Sequence, residues 1–338
     1  MDMRRWIFFL ADHLSPKAAM KLWLLPLLLG WCVALSASEV TFIALGDLPY
    51  GKDDSAGFRY RQLIATINQS RHEFSIHVGD IKSGSSVCSD EELLRQREHF
   101  NLYERPVIYT PGDNEWTDCH RKSNGGYDPL ERLARLRSVF FSSLSSMGKR
   151  SMQVATQPQE QPEFSQFVEN RRWEKNSILF LTVHIVGSNN NFESRDPKAV
   201  AEFFDRDRAN IGWINAAFDL AERENLEAIV IAFQADVLES ASRFSQFPSH
   251  SGFKASVGDT IIPRSRKFGR PVLLVSGDSH EFKFGQPFTI QGESVSNLYQ
   301  VVVPGNQDVR AVQVTIDARS TSPFSLSMIS PITHQKGR

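Results

Sequence analysis

Six short apolar runs set the rhythm of the chain: EVTFIAL (39–45), FSIHV (74–78), RPVIYT (105–110), SILFLTVHIV (177–186), LEAIVIAF (226–233) and PVLLVSG (271–277). Runs of this kind, closed by turn residues, predict buried strands. Between them the pattern switches to helical spacing. A helix is expected from about Ala56 to Ser70, with Phe58, Leu63, Ile64 and Ile67 on its apolar face. Ser89 with Glu92 forms a capping box opening SDEELLRQREHF, and Asp128-Pro129 with Glu131 opens DPLERLARLRSVFF. A long helix is expected around DRANIGWINAAFDLAEREN, with Trp213 and Phe218 turned to the core. Strand and helix alternate, which argues for parallel strands with crossover helices, an α/β architecture. Near the C-terminus LYQVVVPG and VRAVQVTID read as consecutive strands joined by a Gly-Asn turn, closer to an antiparallel pair. Residues 142–166 turn to Ser, Gln, Pro and Met without periodicity and read as a surface insertion in a single domain spanning 38–338.

Composition narrows this reading. The 338 residues carry a net charge of −1, with six Trp and 24 Phe and no Lys/Arg block, so the chain is neither a disordered tail nor marked for a nucleic-acid partner. Lys17 and Lys21 precede LWLLPLLLGWCVAL and then SAS, the pattern of a secretory signal over residues 1–37. The apolar run falls short of the roughly 20 residues a membrane span needs, and Pro26 interrupts it. An exported chain, periplasmic or secreted, is expected, with an uncleaved membrane anchor as the alternative and no transmembrane span in the mature chain. Beyond Cys32, inside the signal, only Cys88 and Cys119 remain; in an exported chain an even pair favours a disulfide over two buried free thiols.

Candidate chemistry enters at the strand ends. IALGD ends at Asp47, HVGD at Asp80, YTPGD at Asp113 and LLVSGD at Asp278. In open α/β sheets ligands gather at the carboxyl ends of strands, so four such carboxylates can converge, and the glycine before each lets the backbone turn sharply. Gly258-Asp259, without a comparable strand before it, reads as an ordinary turn. Carboxylates held close cannot all stay ionised without positive charge, and a divalent cation is the usual compensation.

GDLP, GDIKSG, GDNEW, AFQAD and GDSHEF, in this order and strand context, resemble the motif series of the calcineurin-like metallophosphoesterases over nearly all of the mature chain. The resemblance implies a four-layer αββα sandwich of two mixed sheets with flanking helices and a metal site at the carboxyl ends of strands. It implies hydrolysis of a phosphomonoester or phosphodiester, a small phosphorylated substrate, by attack of metal-bound hydroxide. Asp47, Asp80 and His280 would hold one metal, and Asp80, Asp113, Asp278 and Gln234 the other, with Asp80 bridging.

Several positions depart from the family's pattern. Pro49, Asp113, Gln234 and Asp278 stand where the family has His, Asn, His and His as ligands, and Asn114 replaces the His that assists the leaving group. Oxygen for nitrogen favours Mn²⁺ or Mg²⁺, with Ca²⁺, Zn²⁺ or iron as alternatives. Asn114 occupies the acid's place but cannot donate a full proton, so His120 is the substitute and Arg121 the group that neutralises phosphate charge. His184 is expected as a donor to the ligands, Asn189 and Asn190 to line the phosphate pocket, or else to form a surface turn, and His77 to be a satisfied buried histidine. A Cys88–Cys119 bridge would staple the loops that follow Asp80 and Asp113. The competing reading is a catalytically impaired pseudo-phosphoesterase that acts as a binding module. No P-loop or Gly-rich dinucleotide fingerprint supports a nucleotide-binding domain.

Overall fold

The computed structural model describes residues 39–51, 54–239 and 251–332; the expected signal at 1–37 lies outside the described residues. Five strands form one mixed sheet in the order β14-β13-β1-β2-β3: β1 (Val40–Leu45), β2 (Ser75–His77), β3 (Val107–Tyr109), β13 (Ala311–Ile316) and β14 (Phe324–Ile329). Seven form a second, in the order β4-β5-β6-β7-β8-β12-β9: β4 (Ala155–Thr156), β5 (Arg171–Lys175), β6 (Ile178–Thr182), β7 (Ala228–Ala232), β8 (Val272–Ser276), β9 (Lys283–Gly285) and β12 (Leu298–Val302). A small ribbon, β10 (Thr289–Ile290) and β11 (Glu293–Ser294), stands apart.

The alternation of side chains along each strand builds three apolar layers. Phe42, Ile76 and Val78 from the first sheet meet Phe180, Val230 and Val275 from the second between the sheets. The outer face of the first sheet, with Ile43 and Tyr109, is covered by α1 (Asp54–Gln69), α2 (Asp90–Phe100) and α3 (Pro129–Phe140). The outer face of the second, with Leu179, Ile229 and Leu274, is covered by α4 (Pro197–Arg223) through Trp213 and Phe218, and by α5 (Ile262–Phe268). The result is the expected αββα sandwich. Ser89 accepts from the Glu92 amide at the start of α2, and Asp128 from Leu130 and Glu131 at the start of α3. Among the described residues, no helix is long and apolar enough to cross a membrane.

Four local expectations are corrected. The two late strands do not pair: β12 lies parallel to β8 in the seven-stranded sheet, and β13 lies antiparallel to β1 in the other. Residues 303–310 between them are too many for a tight hairpin and carry the chain from one sheet to the other. Phe58 is 55% exposed, and Tyr60, bonded to the Tyr103 hydroxyl at 3.1 Å, takes its place in the core. Tyr60, Leu63, Ile64 and Ile67 follow the i, i+3, i+4, i+7 series, whereas Phe58, two residues earlier, falls on the opposite face. Gly258-Asp259 lies within a wide, π-type helical run, Lys254–Ile261, rather than in a turn. Residues 142–166 are not wholly superficial: Met147 and Val154 are buried, Met147 exchanges backbone hydrogen bonds with Val107, and β4 extends the second sheet.

Candidate metal centre

β1, β2 and β3 run parallel side by side, so Asp47, Asp80 and Asp113 leave the same edge of the first sheet. β7 and β8, also parallel and adjacent, deliver Gln234 and Asp278 from the second sheet. Two three-residue groups result, Asp47/Asp80/His280 and Asp80/Asp113/Asp278, whose ligand atoms lie within 4.8 Å of one another in each group. Asp80 belongs to both.

Gly79, with φ 97°, makes the sharp bend read in the sequence, whereas Gly46, Gly112 and Gly277 do not adopt a left-handed angle. Left-handed angles fall also on the expected ligands, with φ 54° at Asp47 and Asp80, 72° at Asp278 and 63° at His280. Aspartate is among the few residues that tolerate this region. Gly112 and Gly277 instead allow close approach. A Cβ on Gly112 would lie 2.1 Å from Asp80 Oδ1, and one on Gly277 2.3 Å from Asp47 Oδ2.

Each carboxylate is held by donors. Asp80 Oδ2 accepts from the Tyr50 hydroxyl and the Asn114 amide, both at 2.7 Å, and Oδ1 from the Asn114 backbone N–H. Asp47 accepts from the Asp278 N–H and faces His280 Nε2 at 3.4 Å. Ser188 Oγ donates to Asp113 Oδ2 at 2.7 Å. Gln234 Nε2 donates to Asp113 Oδ1 at 3.3 Å and Asp278 Oδ1 at 3.0 Å, while its Oε1 accepts from the Gly187 N–H. That N–H can only donate, which fixes the amide's orientation. Gln234 therefore cross-links two carboxylates. Behind the cluster, Glu115 Oε1 accepts from the Asp80 and Gly112 amides and from Tyr109, and Lys82 Nζ donates to the Asn114 carbonyl at 2.6 Å.

The site has too little positive charge for so many acids. Among the described residues, no lysine or arginine forms an ion pair with any of the four aspartates; His280 with Asp47 is the one cationic contact. Burial, then the charges of Asp113, Glu115, Asp47 and Asp278, push Asp80 well above the carboxylate range. Burial, then Asp113 and Asp47, do the same to Asp278. Burial raises Asp47 against the pull of His280, and raises Glu115 to about 7 against its hydrogen bonds. Burial would lower His280, but the hydrogen bond and charge of Asp47 outweigh it and the ring is raised. A cluster of hard oxygen donors and one imidazole, short of cations, fits divalent metal binding.

These shifts give a testable pH dependence. A carboxyl whose folded pKa lies above its unfolded value contributes stability that is complete below the unfolded value, about 4, and lost as pH rises through the folded value. His280, also raised, adds the same sign. Burial lowers His72, His77, His99 and His184, whose contribution rises with pH up to their unfolded value of about 6.5. The melting temperature of the metal-free protein should therefore fall from about pH 6.5 to 8, a span that includes Glu115's value of about 7, and the rise on adding Mn²⁺ should grow over the same span. Calorimetric scans in chelator and in Mn²⁺ check this; a flat or rising metal-free curve contradicts it.

The remaining expected residues lie around the cluster. Asn114 is buried with its amide on Asp80 and Tyr50. His120 and Arg121 line a neighbouring cavity of about 630 Å³; His120 Nδ1 donates to the Thr117 carbonyl, and Arg121 pairs with Asp118 at 2.5 Å. His77 is buried and bonded to the Leu48 carbonyl. His184 turns its Nδ1 to Glu169, which Arg137 also holds, and its buried Nε2 has no hydrogen-bond partner among the described residues. Asn189 and Asn190 bond Gly252, and Asn190 also takes Arg206 and the Val186 N–H, so neither amide faces the aspartates. The Asn run has a conformational reason. Ser188, Asn189, Asn190 and Asn191 all have φ between 51° and 59°, a left-handed turn that asparagine tolerates and that brings Ser188 onto Asp113. Tyr50, Glu115 and Ser188 were not singled out from the sequence; only Glu115, inside GDNEW, carried a signal there. The Cys88–Cys119 disulfide is present, tying the loop after β2 to the loop after β3, with both sulfurs against the Asn114 carbonyl oxygen at 3.6 and 3.8 Å.

No protein-family model matches the sequence, and no curated protein matches it significantly. Solved structures do match in fold. A dimetal phosphatase from Danio rerio aligns with TM-score 0.50 at 12% identity over 87% of this chain and 99% of its own. GAP50, described as the anchor in the inner membrane complex of Plasmodium, aligns with TM-score 0.47 at 10% identity over 88% and 90%. The purple acid phosphatase PPD1 of yellow lupin aligns with TM-score 0.47 at 11% identity over 87% and 54%. The fold is the calcineurin-like metallophosphoesterase fold expected from the motif series.

Proposed function

We propose that the protein is an exported, metal-dependent phosphoesterase acting on a small phosphorylated substrate. The observation that carries this reading is the pair of overlapping ligand groups sharing buried Asp80. Asp47 and His280 would hold one cation and Asp113 and Asp278 the other, Mn²⁺ or Mg²⁺ in preference to Ca²⁺, Zn²⁺ or iron. When bound, such a pair supplies the positive charge that neutralises phosphoryl oxygens and acidifies water. The chain's own residues do the rest. Gln234 and Ser188 hold the carboxylates of Asp113 and Asp278 in place, and Tyr50 and Asn114 hold Asp80. His120, with Nδ1 engaged, keeps Nε2 as the atom that can pass a proton to a leaving oxygen, and Arg121, paired with Asp118, lines the same cavity.

One observation favours a second reading, a non-catalytic binder: the Asn114 amide, in the acid's place, is already engaged by Asp80 and Tyr50. Metal content and hydrolysis of aryl phosphate esters by the mature chain separate the two. Turnover that appears with Mn²⁺ or Mg²⁺ and vanishes in chelator is expected; tight metal binding without turnover establishes the binder instead.

A further inference from the structure

Two cavities each share a lining residue with the hydrogen bonds that hold the carboxylate cluster. The first, about 630 Å³, is lined in part by Ser188, whose Oγ donates to Asp113 at 2.7 Å. The second, about 280 Å³, is lined in part by Asp236, whose backbone N–H donates to Asp278 Oδ2 at 3.3 Å. A phosphomonoester has one organic arm and needs one such space. A phosphodiester has two, leaving phosphorus in different directions.

The two cavities also differ in chemistry. Around the larger, the cations are already matched: Arg121 by Asp118 and Lys198 by Asp128. Such a lining offers donors and acceptors together and has no surplus charge for a further phosphate, which suits a polar, hydroxyl-bearing arm. Leu238, Phe284 and Pro287 line the smaller cavity, where Asp236 is engaged by Lys283 and Ser279. That lining suits a compact apolar or aromatic arm.

Building on the phosphoesterase reading above, we propose that the substrate is an asymmetric phosphodiester, its polar arm in the larger cavity and its apolar arm in the smaller. Water oxygen bonds to phosphorus as the P–O bond to the polar arm breaks. The departing oxygen takes one proton, by way of His120, to leave as the alcohol. The second water proton stays on the monoester product or passes to solvent. The product is a monoester of the apolar arm, and it no longer fills the larger cavity.

The test compares bis(p-nitrophenyl) phosphate with p-nitrophenyl phosphate at saturating Mn²⁺, in the wild-type protein and in Phe284→Ala. kcat/KM for the diester should exceed that for the monoester at least tenfold, and Phe284→Ala should raise the diester KM several-fold more than the monoester KM. Equal or better use of the monoester, or equal KM changes, overturns the diester assignment while leaving the hydrolase reading intact. Absence of turnover with either ester overturns the hydrolase reading itself. In that case calorimetric binding of diphenyl phosphate and phenyl phosphate to the manganese-loaded protein decides the inference: tighter binding of the diester supports it, and equal or weaker binding sinks it.

Discussion

Replacing Asp80 with Asn should cut metal-dependent hydrolysis by a thousandfold or more, about 4 kcal/mol of lost transition-state stabilisation, and yet raise the melting temperature of the metal-free protein. The two effects have one cause. Asp80 belongs to both ligand groups, and it is buried among Asp113, Glu115, Asp47 and Asp278. Removing its charge relieves that repulsion, which should show as a melting temperature higher by a few degrees. An amide preserves the shape of the side chain; with its NH2 in the place of Oδ2, the Tyr50 hydroxyl reverses from donor to acceptor and the Asn114 amide flips to turn its oxygen to both. At pH 8, wild-type protein should melt lower than the variant in chelator and higher in Mn²⁺, with the variant nearly indifferent to the ion. A variant that still gains stability from Mn²⁺, or that melts lower than wild type without it, contradicts this account of the centre.

Removing the disulfide by the double change Cys88→Ser and Cys119→Ser should produce the second large effect. The bridge closes a loop of sequence separation 31, for which chain-entropy arguments give about 3–4 kcal/mol of stabilisation. The enclosed segment contains Asn114, which donates to Asp80 through both its amide and its backbone N–H. Loosening it should therefore weaken Mn²⁺ binding by roughly ten- to a hundredfold, in the range of lost supporting contacts at metal sites. Guanidinium denaturation of the metal-free protein and a Mn²⁺ titration read the two effects separately. An unchanged denaturation midpoint would show that the loops are held without the bridge.

Much of the centre was legible because its main signal is local. A carboxylate after an apolar run is visible in the text of the chain, and parallel neighbours place such residues on one sheet edge. The residues that tune the carboxylates left no such trace. Ser188 reaches Asp113 only because four consecutive residues adopt left-handed angles, which no hydrophobic period encodes. The cross-link made by Gln234 left none either, because its amide orientation is set by the Gly187 N–H, contributed by a loop 47 residues away. Tyr50 meets Asp80 across 30 positions, a contact that no local pattern around it encodes. In the fold, β12 and β13 are both buried apolar strands with a Gly-Asn between them; composition cannot tell which sheet claims each.

That division between sheets bears on how the molecule comes into being. β1 sits in the middle of its sheet, between β2 and β13, and its register with β13 pairs Val40 with Ile316. During synthesis the first strand can find β2 early, but its other edge stays open until almost the whole polypeptide has emerged. Assembly of this half is a late, long-range closure, so truncations that delete β13 should leave an adhesive edge rather than a smaller working protein.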